Sequence, residues 1–239
     1  GEIIKSKILR LFGIGESLMA QKLNNLIQNS KNPTVAPYAK DNDVTLRITA
    51  KGNSEKECDD LINPVDKEIK DALGEYIYGE GETSLENVVS EILCNNKLSV
   101  STAESCTGGM IAASLISYPG ISDVFKEGAV TYSNESKMKR LGVRKETLYR
   151  YGAVSEETAR EMAIGIAREA NTDISISTTG IAGPGGGTDE KPVGLVYIGV
   201  FIKGKVVVNK FNFTGNRERI RRKTAMNALN ILRKELLKI

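Results

Sequence analysis

The hydrophobic positions of the first eighty residues follow strand-like and helix-like periods in turn, which predicts a small α+β unit. The charged helix of this unit is expected to have Ser54 as its N-cap, and Pro64 should bend or split it. The predicted elements are strands at 2–12 and 43–50, helices at 16–30 and 54–73, a connector at 33–37 and an extended link at 74–81.

From residue 83 onward, strands alternate with helices, and a hairpin precedes a long final helix. The predicted elements are strands at 97–100, 128–132, 173–179, 193–202 and 206–213, and helices at 83–93, 110–116, 135–141, 155–170 and 217–237. Interleaved strands and helices predict an α/β layered domain, and the hairpin makes its central sheet mixed. We therefore expect a small α+β domain at 1–82 and an α/β domain, its sheet flanked by helices, at 83–239.

A run of small polar residues at 101–109, Ser-Thr-Ala-Glu-Ser-Cys-Thr-Gly-Gly, joins a predicted strand to a predicted helix. Such a corner places side-chain oxygens beside the unpaired N–H groups of a helix start. Ser105 lies there, where a nucleophile could face an oxyanion site made of backbone donors. A serine that only caps the helix is an equally good interpretation of this stretch alone.

The sequence contains no histidine, which restricts the chemistry open to this serine. A Ser-His-Asp triad and any imidazole-ligated metal site are excluded, so a base must be lysine, tyrosine or a carboxylate. Lys137 takes the third helical position if Asn134 is the N-cap. The positive helix end and partial burial would lower the pKa of Lys137, as a general base for serine requires. A solvated surface lysine is the alternative interpretation.

Two further stretches have the composition of ligand-binding loops. Residues 180–187, Gly-Ile-Ala-Gly-Pro-Gly-Gly-Gly, lack the Gly-Lys-Ser/Thr that a P-loop needs, and a strand rather than a helix follows them. Their backbone either wraps a ligand or forms an irregular surface loop. Arg217 opens the final helix after Thr214-Gly215-Asn216, which makes that helix start a candidate phosphate receptor. On its own, a basic run such as the one behind Arg217 is more often a solvated helix face.

Composition limits the expected partners and the expected location. A net charge of +3, 5% aromatic residues and no tryptophan argue against nucleic-acid binding. The order of elements at 1–82 resembles RNA-binding KH-type folds, but a GxxG loop is missing, so a spacer or homodimerisation module is expected. No apolar run is long enough for a membrane span, and three distant cysteines indicate a reducing cytoplasm. We expect neither metal nor cofactor.

Five ordered motifs resemble the C-terminal domain of the CinA (competence/damage-inducible protein) family. The resemblance covers about 83–239, and the N-terminal unit resembles the KH-like middle domain of full-length members. The family's first domain, which resembles molybdopterin-binding proteins, has no counterpart here, so we expect this sequence to be part of a longer protein. The motifs are Ala103-Glu104-Ser105-Cys106-Thr107-Gly108-Gly109, Val130-Thr131-Tyr132-Ser133-Asn134, Gly152-Ala153-Val154-Ser155, Gly180-Ile181-Ala182-Gly183-Pro184 and Lys191-Pro192-Val193-Gly194.

The family's C-terminal domain is known as a nicotinamide-mononucleotide deamidase. The resemblance therefore implies an amidohydrolase of pyridine-nucleotide (NAD) recycling that acts on a small nucleotide, with Ser105 as nucleophile and Lys137 as its base. It also implies three further site residues: Tyr132, which we expect to relay protons, Thr179, which we expect to contact the amide or ribose, and Arg217, which we expect to clamp the phosphate. The remaining residues expected to bind substrate are Thr107, Gly108, Gly180 and Gly183.

Two alternatives to this function stay open at the level of sequence. One is a Ser-Lys amidase for another small amide. The other is a nucleotide-sensing or protein-interaction module whose Ser105 corner binds phosphate without catalysis.

Overall fold

The structure is a computed structural model that describes residues 1–40 and 43–239. The chain divides into two compact units, Gly1–Leu85 and Glu86–Ile239. Among the described residues, every helix is too short or too polar to span a membrane.

The first unit is an antiparallel four-stranded sheet with two helices. Its strands lie side by side in the order β2 (Thr34–Lys40), β3 (Asp43–Gly52), β1 (Ile3–Phe12) and β4 (Ile77–Glu80). One apolar core joins the sheet to both helices. Leu9 and Leu46 on the strands and Leu23 and Ile62 on the helices are buried in that core. The elements are β1 (Ile3–Phe12), α1 (Glu16–Asn29), β2 (Thr34–Lys40), β3 (Asp43–Gly52), α2 (Glu55–Leu73) and β4 (Ile77–Glu80), with a 3-10 turn at Gly74–Tyr76.

The structure corrects three predictions for this unit. The segment predicted as a connector is strand β2, and the predicted extended link contains strand β4. Pro37 lies on β2, which is an edge strand of the sheet, where a residue without an N–H is tolerated. The second helix runs through Pro64 without being split, and Ser54 is its N-cap as predicted, accepting from the Glu57 N–H at 3.1 Å.

The second unit contains a mixed five-stranded sheet, whose strands lie in the order β6 (Phe125–Val130), β5 (Val100–Glu104), β7 (Ile174–Gly180), β8 (Leu195–Ile202) and β9 (Lys205–Asn212). Strands β6, β5 and β7 are parallel, and β7, β8 and β9 are antiparallel. The predicted fold class, a mixed sheet flanked by helices after a small α+β unit, is confirmed. The elements are α3 (Leu85–Asn95), β5 (Val100–Glu104), α4 (Met110–Ile116), β6 (Phe125–Val130), α5 (Asn134–Leu141), α6 (Lys145–Tyr151), α7 (Glu156–Ala170), β7 (Ile174–Gly180), β8 (Leu195–Ile202), β9 (Lys205–Asn212) and α8 (Arg217–Leu236).

The parallel strands bring three of the conspicuous sequence motifs to one edge of this sheet. Glu104, the last residue of β5, pairs with Val130 of β6 and with Thr178 of β7. All three strands therefore end side by side, and the loops that follow them share that edge. In open α/β sheets, ligands bind in the crevice outside the carboxyl ends of the strands.

Candidate active site

Ser105 and Lys137 meet at the carboxyl end of the parallel strands. Ser105 is the first residue after β5, and its N–H donates to the carbonyl of Thr178 at 3.1 Å. The Nζ of Lys137 lies 3.1 Å from the Oγ of Ser105. The N-cap of α5 is Ser133 rather than the predicted Asn134, so Lys137 is the fourth helical residue and not the third. The two side chains that the sequence pairs as nucleophile and base are in hydrogen-bond contact.

Two backbone carbonyls orient the Lys137 amine. Strand β6 ends at Val130, which leaves the carbonyls of Thr131 and Tyr132 outside the ladder, each 2.9 Å from Nζ. A neutral amine has two N–H donors and one lone pair. When both carbonyls accept an N–H, the lone pair is left for the hydroxyl of Ser105, as a general base requires.

Burial makes the neutral form of this amine accessible. The Lys137 side chain is 1% exposed, and among the described residues no carboxylate pairs with it. Burial lowers the pKa of Lys137 from 10.5 to about 8, because the charged ammonium loses its hydration.

Burial shifts the pKa of the neighbouring Cys106 thiol in the opposite direction. Burial raises the pKa of Cys106 to about 11, so near neutral pH the group is a protonated thiol and a poor nucleophile. Of the two adjacent candidates, Ser105 is the one in contact with a base.

A buried carboxylate holds the turn that carries Ser105. The Glu104 carboxylate is 1% exposed and accepts from the Thr107 hydroxyl at 2.6 Å, the Ile111 N–H at 2.9 Å and the Ala112 N–H at 3.1 Å. Because this carboxylate already accepts from N–H groups in the first turn of α4, the N–H groups that stay open to a ligand are those of the turn before the helix. Within the described residues, the N–H of Thr107 donates to no other residue.

Arg217 contacts both Tyr132 and the glycine-rich loop at 180–187. Arg217 opens α8 and donates from Nη1 to the Gly183 carbonyl at 2.8 Å and from Nη2 to the Tyr132 hydroxyl at 3.2 Å. Tyr132 is 61% exposed, and it is its backbone carbonyl that contacts the Lys137 amine. The expected phosphate clamp and proton relay are therefore neighbours.

Other predicted substrate-binding residues have internal partners. The Thr179 hydroxyl donates to the Ala153 carbonyl at 2.7 Å, which ties β7 to the Gly152-Ala153-Val154-Ser155 motif. The Thr107 side chain is buried and bonds to Glu104 and, at 2.8 Å, to the Thr178 hydroxyl, so only its backbone can reach a ligand.

The predicted glycines are explained by close packing. A Cβ on Gly180 would lie 2.6 Å from Val196 Cγ2, and one on Gly183, where φ is +80°, would lie 2.5 Å from Val193 Cγ1. Gly108 has φ +59°, which a side chain rarely adopts.

Sequence reasoning missed the role of Arg221. Its Nε donates to the Cys106 carbonyl at 2.9 Å and its Nη2 lies 3.3 Å from the Thr107 carbonyl. The basic run at 217–223 resembled a solvated helix face. The available signal was spacing, because Arg221 is four residues after Arg217 and so on the same face of α8.

In the described part of the chain, no group of three His, Cys, Asp or Glu side chains is placed to hold a metal ion. The expectation that the site works without a metal stays a prediction.

Comparison with known families matches both units. The family model described as CinA C-terminal domain matches residues 82–236. The one described as Damage-inducible protein CinA KH domain matches residues 6–79.

Curated relatives and solved structures agree with these matches. A putative competence-damage inducible protein of Clostridium perfringens is 64% identical over 237 residues, and one of Clostridium botulinum is 58% identical over 233 residues. These alignments cover 99% and 98% of this chain but 57% of each relative, so the chain spans little more than half their length.

Among solved structures, a competence-damaged protein (CinA) superfamily protein of Klebsiella pneumoniae aligns with TM-score 0.63 and 36% identity, over 65% of this chain and 97% of that one. The competence/damage inducible protein CihA of Agrobacterium tumefaciens aligns with TM-score 0.61 and 40% identity, over the same two shares. The family model of the C-terminal domain matches more than half of the chain and the KH model matches most of the rest, so the chain belongs to the CinA family.

Proposed function

We propose that the chain hydrolyses the carboxamide of nicotinamide mononucleotide, giving nicotinate mononucleotide and ammonia. The observation that carries this proposal is the buried contact of 3.1 Å between the Lys137 amine and the Ser105 hydroxyl. Membership of the CinA family supports it, because the C-terminal domain of that family is known for this deamidase activity.

The lowered pKa of Lys137 determines what fraction of its amine is neutral and able to accept a proton. With a pKa of about 8, roughly a quarter of the amines are neutral at pH 7.5, against about one in a thousand for an ordinary lysine. The neutral amine takes the hydroxyl proton as Ser105 Oγ attacks the carboxamide carbon. The C–O bond forms, and the amide oxygen becomes an oxyanion beside the N–H groups of the turn.

The same lysine completes both halves of the reaction. The Lys137 ammonium returns its proton to the amide nitrogen, the C–N bond breaks, and ammonia leaves an ester on Ser105. Water then attacks the ester, with the neutral amine again accepting a proton. Collapse of the second intermediate releases the carboxylic acid and restores the Ser105 hydroxyl.

Charge complementarity supports a phosphorylated substrate. The substrate's pyridinium ring is cationic, so its phosphate is the part that a guanidinium attracts. Two of the five N–H donors of Arg217 form hydrogen bonds with Gly183 and Tyr132. The other donors are left for a phosphate at the start of α8.

The test is ammonia release from nicotinamide mononucleotide, nicotinamide riboside and nicotinamide under identical conditions. We expect release from the mononucleotide far above that from the other two. Release from another small amide, but not from the mononucleotide, would replace this proposal with a Ser-Lys amidase of different specificity. No release from any amide, with binding of the nucleotide retained, would indicate a sensing module.

A further inference from the structure

The outer side of the turn after β5 is held by one side chain of α8. The guanidinium of Arg221, which is half-buried, donates to the carbonyls of Cys106 and Thr107. A Cβ placed on Gly108 would lie 3.2 Å from Nη2 of Arg221, so the guanidinium lies directly against the turn. Two consecutive carbonyls of the turn therefore face α8.

The geometry of the peptide group fixes the direction of the N–H groups that follow these two carbonyls. In a trans peptide, the carbonyl and the N–H that follows it point in opposite directions. Because the Cys106 and Thr107 carbonyls point to Arg221, the N–H groups of Thr107 and Gly108 point away from it. The Gly108 N–H reaches the carbonyl of Ser105 at 3.1 Å, while the Thr107 N–H has no acceptor among the described residues.

The inner side of the same turn is fixed independently. The Thr107 hydroxyl lies between Glu104 at 2.6 Å and Thr178 at 2.8 Å, both fully buried. The peptide at Thr107 is thus held from both sides. A cation on a carbonyl also polarises its peptide group, which strengthens the attached N–H as a donor.

We propose that Arg221 is a positioning residue that orients and polarises the Thr107 N–H to stabilise the oxyanion formed when Ser105 attacks. This inference rests on the proposed function, in that it assigns a donor to the same reaction. Arg221 itself touches no reacting atom, since both of its contacts are turn carbonyls.

The matched variants are Arg221→Gln and Arg222→Gln. Arg222 is the next residue of α8, is exposed and pairs with Glu218, so it controls for loss of one positive charge on this helix. For Arg221→Gln we expect kcat about 10- to 100-fold lower, below the roughly 10²–10³-fold cost of deleting an oxyanion donor. KM should stay within about twofold and the pH midpoint of activity should not move, because substrate binding and Lys137 are untouched. For Arg222→Gln we expect wild-type kcat.

Arg221→Lys covers the case in which Arg221→Gln fails to fold. It keeps the charge, but one ammonium cannot reproduce the two-pronged contact, so kcat should fall between the glutamine variant and wild type. A folded Arg221 variant with wild-type kcat would overturn the inference, as would a loss confined to KM.

A fluorophosphonate probe separates this inference from the proposed substrate. Its reaction with Ser105 needs the nucleophile and the oxyanion donors but no nucleotide. We expect labelling of the Arg221 variants to slow in proportion to kcat. If wild type labels at Ser105 yet releases no ammonia from the mononucleotide, the proposed substrate is wrong, and the labelling rates of the variants still decide the role of Arg221.

Discussion

Burial of the Lys137 amine has a consequence for stability that needs no substrate. The folded protein holds this group at a pKa of about 8, against 10.5 in an unfolded chain. Between these values the unfolded state binds more protons than the folded state, so the free energy of unfolding rises with pH in that window. Below pH 8 the full penalty for burying the ammonium is present, and it is relieved as pH rises toward 10.5.

The size of the effect follows from the shift. The difference between about 8 and 10.5 corresponds to roughly 3 kcal/mol in total, at 1.36 kcal/mol per unit of pKa. Between pH 7 and pH 9.5, about 2 kcal/mol of this should be recovered. Replacing Lys137 with methionine removes the titrating group and leaves two carbonyls without a donor, which adds an offset that does not depend on pH.

The assay is urea unfolding of wild type and Lys137→Met at pH 7 and pH 9.5. Other titrating groups, including the Cys106 thiol, are common to both proteins and largely cancel in the difference. We expect wild type to gain about 2 kcal/mol relative to the variant over this interval. Parallel pH dependences would refute the reasoning, since they would mean that Lys137 has an ordinary pKa in the folded state.

Three further predictions concern activity. In wild type, kcat/KM should rise with pH to a plateau with a midpoint near 8, as Lys137 loses its proton; a flat profile from pH 6 to 9 would contradict its role as base. Arg217→Ala should raise KM for the mononucleotide roughly ten- to a hundredfold, the 1.5–3 kcal/mol of a charged hydrogen bond, and barely affect the riboside; equal losses on both would contradict phosphate binding. Exhaustive chelation should leave the rate unchanged, and activity restored by one divalent ion would reveal a missed metal site.

Strands β7, β8 and β9 overlap the strands predicted at 173–179, 193–202 and 206–213. The strand before Ser105 was predicted wrongly at 97–100: it spans Val100–Glu104, whose small polar residues look like a loop in sequence but are buried in the sheet. The short helix α6 was not predicted. Its seven residues, Lys145–Tyr151, are largely charged or exposed, and only Thr147 is classed as buried, so no helical stripe is visible. Strand β2 was not predicted because it contains a proline, which a strand tolerates only at the edge of a sheet. Whether a strand lies at the edge depends on the tertiary structure and cannot be read from the local sequence.

Part of the candidate site could be predicted from the sequence, and part of it could not. Ser105 and Lys137 could be paired from the sequence because the lack of histidine leaves few bases and because the motifs around both residues resemble those of the CinA family. The buried carboxylate of Glu104 and the contacts of Arg221 could not, because each is defined by partners brought together by folding. The side chain of Thr107 was expected at the substrate, and it instead bonds inward to Glu104 and Thr178.

Ammonia release by Ser105→Ala tests the central claim most directly, with Cys106→Ala as the matched control on the adjacent buried residue. If Ser105 is the nucleophile activated by Lys137, the folded Ser105→Ala protein should lose at least about 10³-fold in kcat on nicotinamide mononucleotide. Cys106→Ala should stay within a few-fold of wild type, because its thiol is protonated near neutral pH. A folded Ser105→Ala protein that releases ammonia at a near-wild-type rate would contradict the account.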